Sequence, residues 1–304
     1  MHSSIEELLL SIGIDGDYMP DISRTEILKI IENYEGIIIR SKTLIDKELL
    51  DCASKLEFIA RAGAGLDKID LEEIEIRGIQ LYNAPEGNRD AVGEHVIGMI
   101  LALLNNFVKG QMQIRNGIWD REGNRGYELS AQTVGIIGYG HMGKAVAQRL
   151  KAFGCDILAY DKYLTGFGDD IVEEADLEML FERADIITMH TPLTQETMDM
   201  CNISFWKRFR KPIWYINSAR GEISTFKSVL KGLSEGKLRG AALDVLENEK
   251  IEKLNKTQKN LFEELVSRDD VILTPHVGGW TFESYRKINE VLVSKIKDHS
   301  NSFV

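Results

Sequence analysis

Three glycines near the middle of the chain have the spacing of a phosphate-binding turn. Gly138, Gly140 and Gly143 follow the apolar run TVGII and precede HMGKAVAQRLKAFG, which has the apolar spacing of a helix. Glycine lets the chain turn tightly, lets backbone N–H groups approach a pyrophosphate, and lets the helix pack close to the strand. The positive end of the helix would attract the anion. This strand–turn–helix context predicts a dinucleotide site rather than a glycine-rich connection without a ligand.

An acidic residue at the end of the next apolar run indicates which dinucleotide binds. Asp161 closes the run ILAYD, 18 residues after Gly143. This is close to the spacing of roughly 20 residues expected of the acid that binds a ribose 2′-hydroxyl. A carboxylate there would repel a 2′-phosphate, so NAD is the expected cofactor. The adjacent Lys162 leaves some tolerance of NADP open.

Two histidines lie where strands of a parallel sheet would end, which is where such sheets place their ligands. His190 ends DIITMH, and His276 lies in VILTPHVGG. Imidazole carries protons near neutral pH, so both are candidates for proton transfer. Charged side chains follow two further apolar runs: Arg220, Asp244, Glu247 and Glu249. Each alone could be a surface charge or half of an ion pair, but their shared position favours one site.

An anion-binding pattern also occurs in the N-terminal part of the chain. Gly63 and Gly65 follow an apolar run and would expose successive N–H groups, which suits a carboxylate or phosphate oxygen. Arg61 would add a planar two-pronged donor, and Arg40 ends another apolar run. A lone arginine at a strand end is more often a solvated charge. Two arginines beside a glycine-rich turn predict a site for an anionic substrate.

Short apolar runs alternate with helical patterns along the whole chain, which predicts an α/β fold with parallel sheets covered by helices on both faces. A length of 304 residues indicates two domains. We predict two doubly wound, Rossmann-like domains, with the nucleotide domain inserted into the substrate domain. The flavodoxin-like substrate domain comprises residues 1–97 and 283–304, and the NAD-binding domain comprises residues 98–282.

Local patterns add three expectations. Ser23 and Glu26 have the spacing of a capping box at the start of a helix. Residues 247–260 are polar and charged and are expected to form a surface loop. The chain opens on the helical pattern SSIEELLLSIG, with no apolar run before it. Either the true start lies upstream, or the first sheet lacks a strand and exposes an edge.

Composition excludes several other classes of protein. The 37 basic and 48 acidic residues give a net charge of −11, and no cationic stripe that could follow a nucleic-acid backbone is present. No apolar run approaches the roughly 18 to 20 residues that span a bilayer, and the start lacks a signal-peptide pattern. A cytoplasmic protein without membrane or nucleic-acid partners is expected. Three widely spaced cysteines suggest neither a disulfide framework nor a zinc site, so no metal is expected.

Seven segments occur in the order found in the D-isomer-specific 2-hydroxyacid dehydrogenases, which the chain resembles over nearly its whole length. These segments are FIARAGAGLDKID, NAPEGNRDAVGEH, TVGIIGYGHMGKAVAQRLKAFGCDILAYD, HTPLTQET, NSARGE, GAALDVLENE and LTPHVGG. The chain most resembles the D-3-phosphoglycerate dehydrogenase branch, in a short form without a C-terminal regulatory domain. The resemblance implies an NAD-dependent oxidoreductase for a D-2-hydroxy acid, and a homodimer formed through the nucleotide domain.

The resemblance also implies roles for individual residues. Arg220 would bind the substrate carboxylate, His276 would exchange the proton, and Glu249 would orient His276. Glu247 stays an alternative to Glu249, because the family's usual proline after the glutamate is replaced by Lys250. Cofactor contacts are implied for Gly138, Gly140, His141, Met142, Gly143, Asp161, His190, Thr191, Pro192, Ser218, Ala219, Asp244, Gly278 and Gly279. Asp244 would hold the nicotinamide amide. Substrate contacts are implied for Arg40, Arg61, Ala64 and Gly65.

Two alternative functions stay open. Another member of the family, such as a glyoxylate or hydroxypyruvate reductase, would keep the catalytic residues and differ around Arg40 and Arg61. A sensor that binds NADH without turnover, like the corepressor relatives of the family, is disfavoured by the acidic balance of the chain. A purely structural module would explain the sheets but not the convergence of Arg220, Glu249 and His276.

Overall fold

The chain forms two compact units in a computed structural model that describes residues 1–300. Unit 1 comprises Met1–Asp90 and the residues from Trp280 onward, and unit 2 comprises Ala91–Gly279. Unit 2 is therefore inserted, in sequence, between two segments of unit 1. The sequence patterns placed these divisions later, after residues 97 and 282. The last four residues of the substrate domain expected from sequence, 301–304, lie outside the described part of the chain.

Helices and strands alternate along both units. The α-helices are α1 (Ser4–Leu10), α2 (Arg24–Ile30), α3 (Lys47–Cys52), α4 (Leu71–Arg77), α5 (Pro85–Leu104), α6 (Phe107–Arg115), α7 (His141–Leu150), α8 (Leu177–Arg183), α9 (Ile203–Arg208), α10 (Phe226–Ser234), α11 (Lys256–Val266) and α12 (Phe282–Ser300). The strands are β1 (Gly36–Ile39), β2 (Phe58–Arg61), β3 (Gln80–Asn83), β4 (Thr133–Ile137), β5 (Asp156–Tyr160), β6 (Glu173–Glu174), β7 (Ile186–Met189), β8 (Ile213–Asn217), β9 (Leu238–Leu243) and β10 (Val271–Leu273). All strand pairings are parallel, which confirms the expected α/β class.

Most helices begin where a short polar side chain can satisfy a free backbone N–H. Ser23 accepts a hydrogen bond from the backbone N–H of Glu26, whose carboxylate accepts one from the N–H of Ser23, so the expected capping box is confirmed. Polar N-caps also begin α3, α4, α8, α9, α10 and α11: Asp46, Asp70, Asp176, Asn202, Thr225 and Asn255. Each such cap is worth about 1 kcal/mol.

Unit 1 is built on a three-stranded sheet of order β1-β2-β3. On one face Ile27, Leu49 and Ile59 belong to a buried core. On the other, Ile288 and Leu292 of α12 pack against small residues of β2 and the turn that follows it. The free edge of β1 borders a cavity of about 1560 Å³ within unit 1, beside α1 and α2. Among the described residues no strand pairs with the outer edge of β1, and both alternatives given by the sequence, a start upstream or a missing strand, stay open.

Unit 2 is built on a seven-stranded sheet of order β10-β9-β8-β7-β4-β5-β6. Buried side chains of α8, α9 and α10 cover one face, and those of α5 and α7 cover the other. The strand order reverses between β4 and β7, and an open parallel sheet binds its ligands at the carboxyl ends of strands at such a reversal. The turns after β4 and β7 are therefore the expected location of a ligand-binding site.

The long helix α5 contains the division between the units, which follows Asp90. Its residues Val96, Ile100 and Leu104 are buried in the core of unit 2. No single helix of the described chain is long and apolar enough to cross a membrane. Helices α5 and α6 reach the required length and composition together, but they are bent by 59° where they meet.

Residues 247–260 are not the uninterrupted surface loop that their polarity predicted. Helix α11 begins at Lys256, after a capping box formed by Asn255 and Gln258. The helix forms because Leu261 and Leu265 pack against the core of unit 2, and these residues lie at or beyond the end of the polar stretch.

Candidate active site

The three glycines after β4 have three different structural roles. Gly138 has a φ of +96°, and a Cβ there would lie 2.8 Å from the carbonyl carbon of His190. A Cβ on Gly143 would lie 2.1 Å from the carbonyl oxygen of Gly138. A Cβ on Gly140 would meet nothing within 4 Å. The first glycine therefore permits the turn, the third permits close packing of α7, and the middle one borders open space.

The open space at Gly140 lies at the N-terminus of α7. Gly140 is the N-cap, and His141 and Met142 are the first helical residues. His141 is exposed and Met142 is half-buried. No described side chain caps this end, so its first N–H groups are available to a phosphate.

The carboxylate of Asp161 is fixed at the end of β5 by backbone donors. Its Oδ2 accepts a hydrogen bond from Tyr139 N at 2.8 Å, and its Oδ1 accepts from Tyr163 N at 2.9 Å and Leu164 N at 3.1 Å. A carboxylate offers about four acceptor positions, so it can still bind a hydroxyl. Three backbone donors thus fix the side chain where it can also accept a hydrogen bond from a ribose hydroxyl.

The neighbouring cation does not change this preference. Lys162 forms an ion pair with Glu196, so its charge is already partnered. A 2′-phosphate would have to compete with Glu196 for Lys162 and would face the carboxylate of Asp161. The arrangement favours NAD over NADP.

Two buried hydroxyls after neighbouring strands lack partners in the described chain. They are Thr191 Oγ1, after β7, and Ser218 Oγ, after β8. An unsatisfied buried hydroxyl costs about 1–3 kcal/mol, which a bound ligand can recover. Pro192 is exposed, and Ala219 N donates to Asn217 Oδ1 at 3.0 Å. The two hydroxyls therefore fit a cofactor that lies across the ends of β7 and β8.

His190 is not suited to carry a proton. Its Nε2 lies 2.9 Å from Thr188 Oγ1, and burial lowers the pKa of His190 to about 3. The ring is therefore neutral near pH 7. Of the two histidines at strand ends, His190 is thus left with a binding or structural role, and His276 is the candidate proton carrier.

Asp244, which is 2% exposed, organises the loop after β10. Its Oδ1 accepts from Thr274 Oγ1 at 2.5 Å and from Val277 N at 3.0 Å, and its Oδ2 accepts from Gly278 N at 2.8 Å. His95 Nε2 lies 3.3 Å from Oδ1. Burial raises the pKa of Asp244, but hydrogen bonds led by that from His95 outweigh burial, so the pKa lies below its usual value.

Sequence reasoning missed Thr274 and did not identify the partner of His95. The threonine stands in the quoted segment LTPHVGG, but an uncharged hydroxyl gave no signal of its role. Gly278 is buried against the carboxylate of Asp244, where a Cβ would lie 2.9 Å from Oδ2. Gly279 follows it as the last residue of unit 2.

His276 and Glu249 form a hydrogen-bonded pair, with 2.7 Å between His276 Nδ1 and Glu249 Oε1. A carboxylate only accepts, so Nδ1 carries the proton and Nε2 is left for a substrate. The pKa of His276 is raised, first by the hydrogen bond to Glu249, while burial and the charge of Arg220 oppose the rise. The side chains are 49% and 48% exposed, so a substrate can reach them.

Glu247, the alternative partner, lies elsewhere in the same loop. It is half-buried, and burial raises the pKa of Glu247, while a hydrogen bond from the backbone of Phe226 lowers it. The geometry therefore makes Glu249 the carboxylate that contacts His276. Lys250, in the place of the family's usual proline, does not prevent this contact.

Arg220 follows β8, the neighbour of β9 in the sheet. Its Nη1 donates to Ala219 O at 2.7 Å, and its own carbonyl accepts from Asn217 Nδ2 at 2.9 Å. A Cβ on Gly221 would lie 1.9 Å from the carbonyl carbon of Leu246, so the loops after β8 and β9 touch. Arg220 is near enough to lower the pKa of His276, so unit 2 brings these two predicted site residues together.

The glycine-rich turn of unit 1 differs in detail from the exposed N–H pair that was expected. Gly63 has a φ of +137°, and its missing Cβ would lie 1.5 Å from Arg61 Nη1, so the guanidinium lies over this glycine. The same Nη1 donates a hydrogen bond, at 3.1 Å, to the carbonyl oxygen of the residue that directly follows Arg61. Ala64 O accepts from Asn83 Nδ2 at 3.0 Å, and Gly65 is half-buried in the same loop.

The two arginines of unit 1 stand at neighbouring strand ends. Arg61 is the last residue of β2 and pairs in register with Ile39, directly before Arg40. Arg40 is half-buried, and its Cζ lies 4.3 Å from the ring centre of Trp280 and 5.1 Å from that of Tyr285. These aromatic neighbours come from the far end of the chain, and no local pattern signalled them.

Comparison with known proteins identifies the family of the chain. Residues 97–278 match the family described as D-isomer specific 2-hydroxyacid dehydrogenase, NAD binding domain. The chain is 33% identical over 302 residues to the D-3-phosphoglycerate dehydrogenase of Methanocaldococcus jannaschii, covering 98% of this chain and 55% of that protein. It is 33% identical over 275 residues to the hydroxypyruvate reductase of Thermotoga maritima, covering 90% and 88%. The chain thus spans about half the length of the phosphoglycerate dehydrogenase it matches.

A solved structure also matches nearly the whole chain. It is the crystal structure of D-lactate dehydrogenase from Aquifex aeolicus complexed with NAD and lactic acid, with a TM-score of 0.84, 25% identity, and coverage of 99% of this chain and 94% of that one. The open glycine turn, the fixed carboxylate of Asp161 and the unpartnered hydroxyls fit NAD. The chain belongs to the D-isomer-specific 2-hydroxyacid dehydrogenase family, and unit 2 contains its NAD-binding domain.

Proposed function

We propose that the protein transfers a hydride between NAD(H) and a D-2-hydroxy acid or the corresponding 2-keto acid. The observation that carries this proposal is the 2.7 Å pair of His276 and Glu249 beside Arg220. A protein that only binds NAD, without catalysing a reaction, would need neither a paired imidazole nor an adjacent arginine. An oxidoreductase that handles an acid needs both.

The side chains divide the work of the reaction. NAD held by the glycine turn, Asp161, Thr191 and Ser218 would supply the hydride acceptor for oxidation and, as NADH, the hydride donor for reduction. His276 Nε2 takes the hydroxyl proton during oxidation and donates it to the carbonyl oxygen during reduction. Glu249 keeps Nδ1 protonated and stabilises the imidazolium. Arg220 binds the substrate carboxylate through parallel N–H donors, which orients the reacting carbon.

The favoured substrate pair is 3-phosphoglycerate and 3-phosphohydroxypyruvate, the chemistry that begins serine biosynthesis. Arg40 and Arg61 of unit 1 support a substrate with a second anionic group, and the M. jannaschii relative carries the name D-3-phosphoglycerate dehydrogenase. A reductase of hydroxypyruvate or glyoxylate is the second candidate, since the T. maritima relative matches along 88% of its own length. An NADH sensor without turnover would have no use for the proton carrier.

We also propose a homodimer formed through unit 2, in the cytoplasm, with neither a membrane nor a nucleic acid as partner. Large apolar side chains are exposed on α6 and the segment after it: Phe107, Val108, Met112, Ile114, Ile118, Trp119 and Tyr127. Trp119 is 85% exposed. Exposed apolar side chains concentrated in one segment favour an interaction site there. A second copy of unit 2 is the partner that the family resemblance implies.

The experiment that tests the proposal is NADH oxidation by the purified protein with 3-phosphohydroxypyruvate, hydroxypyruvate, glyoxylate and 2-oxoglutarate, with NADPH as control. We expect the highest kcat/KM with 3-phosphohydroxypyruvate and NADH, and a loss of that preference in Arg61→Ala. A preference for an unphosphorylated acid would assign the protein to another activity of the family. NADH binding without turnover of any acid would contradict the proposed activity.

A further inference from the structure

Arg40 differs from most described arginines in having no carboxylate partner. Ion pairs with Asp or Glu hold the arginines at positions 24, 77, 125, 149, 183, 208, 210, 268 and 286. No described carboxylate forms such a pair with Arg40, although its side chain is half-buried. A partly buried charge without a counter-ion is costly, and an anionic ligand would offset that cost.

Two aromatic rings hold Arg40 from one side. Its Cζ lies 4.3 Å from the ring centre of Trp280 and 5.1 Å from that of Tyr285, and these ring centres are 4.9 Å apart at an interplanar angle of 49°. Because the three distances are similar, the rings form a corner and do not enclose the guanidinium on both faces. Arg40 and Trp280 also line the cavity of unit 1 beside β1, so Arg40 borders open space.

The charge balance around this corner also favours an anion. Burial lowers the pKa of Arg40, and the groups that oppose this effect are the hydroxyls of Tyr285 and Tyr18. The amino group of Met1, another cation, is near enough to be affected by Arg40. The corner therefore presents a fixed positive charge surrounded by aromatic and hydroxyl groups.

We propose that Trp280 and Tyr285 are specificity-determining positioning residues, which hold Arg40 so that it binds the anionic substituent of the substrate. This inference rests on the proposed function, and it deepens it by stating the substrate class as 2-keto acids with a phosphate or carboxylate at the far end. Arginine suits this role because its planar guanidinium stacks on rings through a face while its N–H groups bind two anionic oxygens. Lysine could not do both.

A second corner in unit 2 provides a matched control. The Cζ of Arg239 lies 4.8 Å from the ring centre of Trp214 and 5.4 Å from that of Tyr127, and these ring centres are also 4.9 Å apart. Arg239 is exposed, and it donates to the carbonyl of Pro212. A similar arrangement, with an interplanar angle of 67° rather than 49°, thus occurs away from the strand ends that carry the candidate site.

The test compares acids that differ in the charge of the substituent: 3-phosphohydroxypyruvate against hydroxypyruvate, and 2-oxoglutarate against 2-oxobutyrate. We expect Trp280→Leu to raise KM for the anionic member of the preferred pair by about five- to thirtyfold, the range of a partly desolvated cation–π contact. Neither kcat nor KM for the neutral member should change by more than about twofold. Trp280→Phe should recover most of the loss, because a ring is restored.

Four further variants complete the design. Arg40→Gln should lose the same selectivity, Arg239→Gln should match the wild type, and Tyr285→Phe, which keeps the ring, should show a smaller KM change than Tyr285→Leu. NADH affinity and the thermal midpoint of each variant establish that it has folded.

The outcomes separate this inference from the proposed function. If Arg40→Gln loses selectivity while Trp280→Leu keeps it, the positioning role is wrong and the proposed function stands. If Trp280→Leu raises KM equally for charged and neutral acids, the effect is structural and the inference fails. A wild-type enzyme that reduces neutral acids at least as well as charged ones overturns both the inference and the assigned substrate class, but leaves the dehydrogenase activity in place.

Discussion

The backbone at His276 is strained in a way that serves its side chain. His276 has a φ of +54°, a region that costs a non-glycine residue about 1–3 kcal/mol. Its N–H donates to Asp244 O at 2.7 Å, which helps to hold the chain in this conformation. Glycine would remove the strain but also the imidazole. The residue that adopts this conformation is also the one whose ring contacts Glu249.

The first prediction concerns the charge of Glu249. The hydrogen bond to this carboxylate is the main cause of the raised pKa of His276, so Glu249→Gln should lower that pKa. Reduction needs the protonated imidazole, and kcat/KM therefore falls as pH rises through the pKa of His276. In the variant this basic limb should move to lower pH, measured as kcat/KM for keto-acid reduction against pH. Glu247→Gln is the control and should keep the wild-type profile. If the basic limb of the pH profile lies at the same pH in both variants, Glu249 does not raise the pKa of His276.

For individual residues, the sequence indicated which positions carry candidate functional side chains, but it seldom indicated which other residues contact them. Arg220 and His276 could be selected because each follows an apolar run, and strand ends converge at one edge of a parallel sheet. The choice between Glu247 and Glu249 could not be made from spacing, because both lie in a loop whose course depends on the contact of Gly221 with Leu246. The rings beside Arg40 could not be identified because they lie about 240 residues away along the chain.

The glycine turn is the element that connects fold to cofactor. It combines a left-handed residue, a helix N-terminus without a side-chain cap, and a close strand–helix contact within six residues. These three needs explain why side chains are absent at 138, 140 and 143. At Gly140, a side chain would extend into the open space expected for the cofactor and would not meet protein atoms.

The second prediction separates binding from stability within this turn. Gly140→Ala has room for its methyl group and a φ of −80°, so it should fold normally but weaken NADH binding by about tenfold or more, or about 1.4 kcal/mol. Gly143→Ala meets the carbonyl of Gly138 and should lower stability by about 1–3 kcal/mol. Calorimetric NADH titration and thermal unfolding of both variants provide the comparison. An equal loss of stability in both would show that Gly140 also serves packing.

Elements with a strong local signal were predicted well, and those that depend on distant packing were not. The capping box of Ser23 and Glu26 marked α2 directly. Helix α11 was missed because its first residues are polar and its apolar contacts come only later. Strand β6 has two residues, too few for any alternation to be recognised.

At the scale of the whole molecule, the relevant features are the net charge, the exposed apolar side chains and the division into two units. The 48 acidic residues outnumber the 37 basic ones, which gives a net charge of −11. Seven exposed large apolar side chains lie on α6 and in the segment after it, and burial against a second copy would stabilise them. The division of the chain after Asp90 could not be read from sequence, because α5 continues through it without a break.

The third prediction tests the proposed assembly. Trp119→Glu places a charge on the most exposed residue of this surface and should shift the protein from dimer to monomer in sedimentation velocity. Ile76→Glu is a matched control, because Ile76 is 72% exposed on α4 of unit 1. A wild-type monomer, or a Trp119→Glu dimer as stable as the control, would contradict assembly through this surface.

The most direct test of the central claim is a comparison of wild type and His276→Ala in NADH-dependent reduction of 3-phosphohydroxypyruvate and hydroxypyruvate, with NADH affinity measured in parallel. If His276 donates the proton, kcat falls by at least about 10²-fold while the Kd for NADH stays within about twofold. Turnover close to that of the wild type in His276→Ala would remove His276 from the mechanism and with it the main support for the proposed activity.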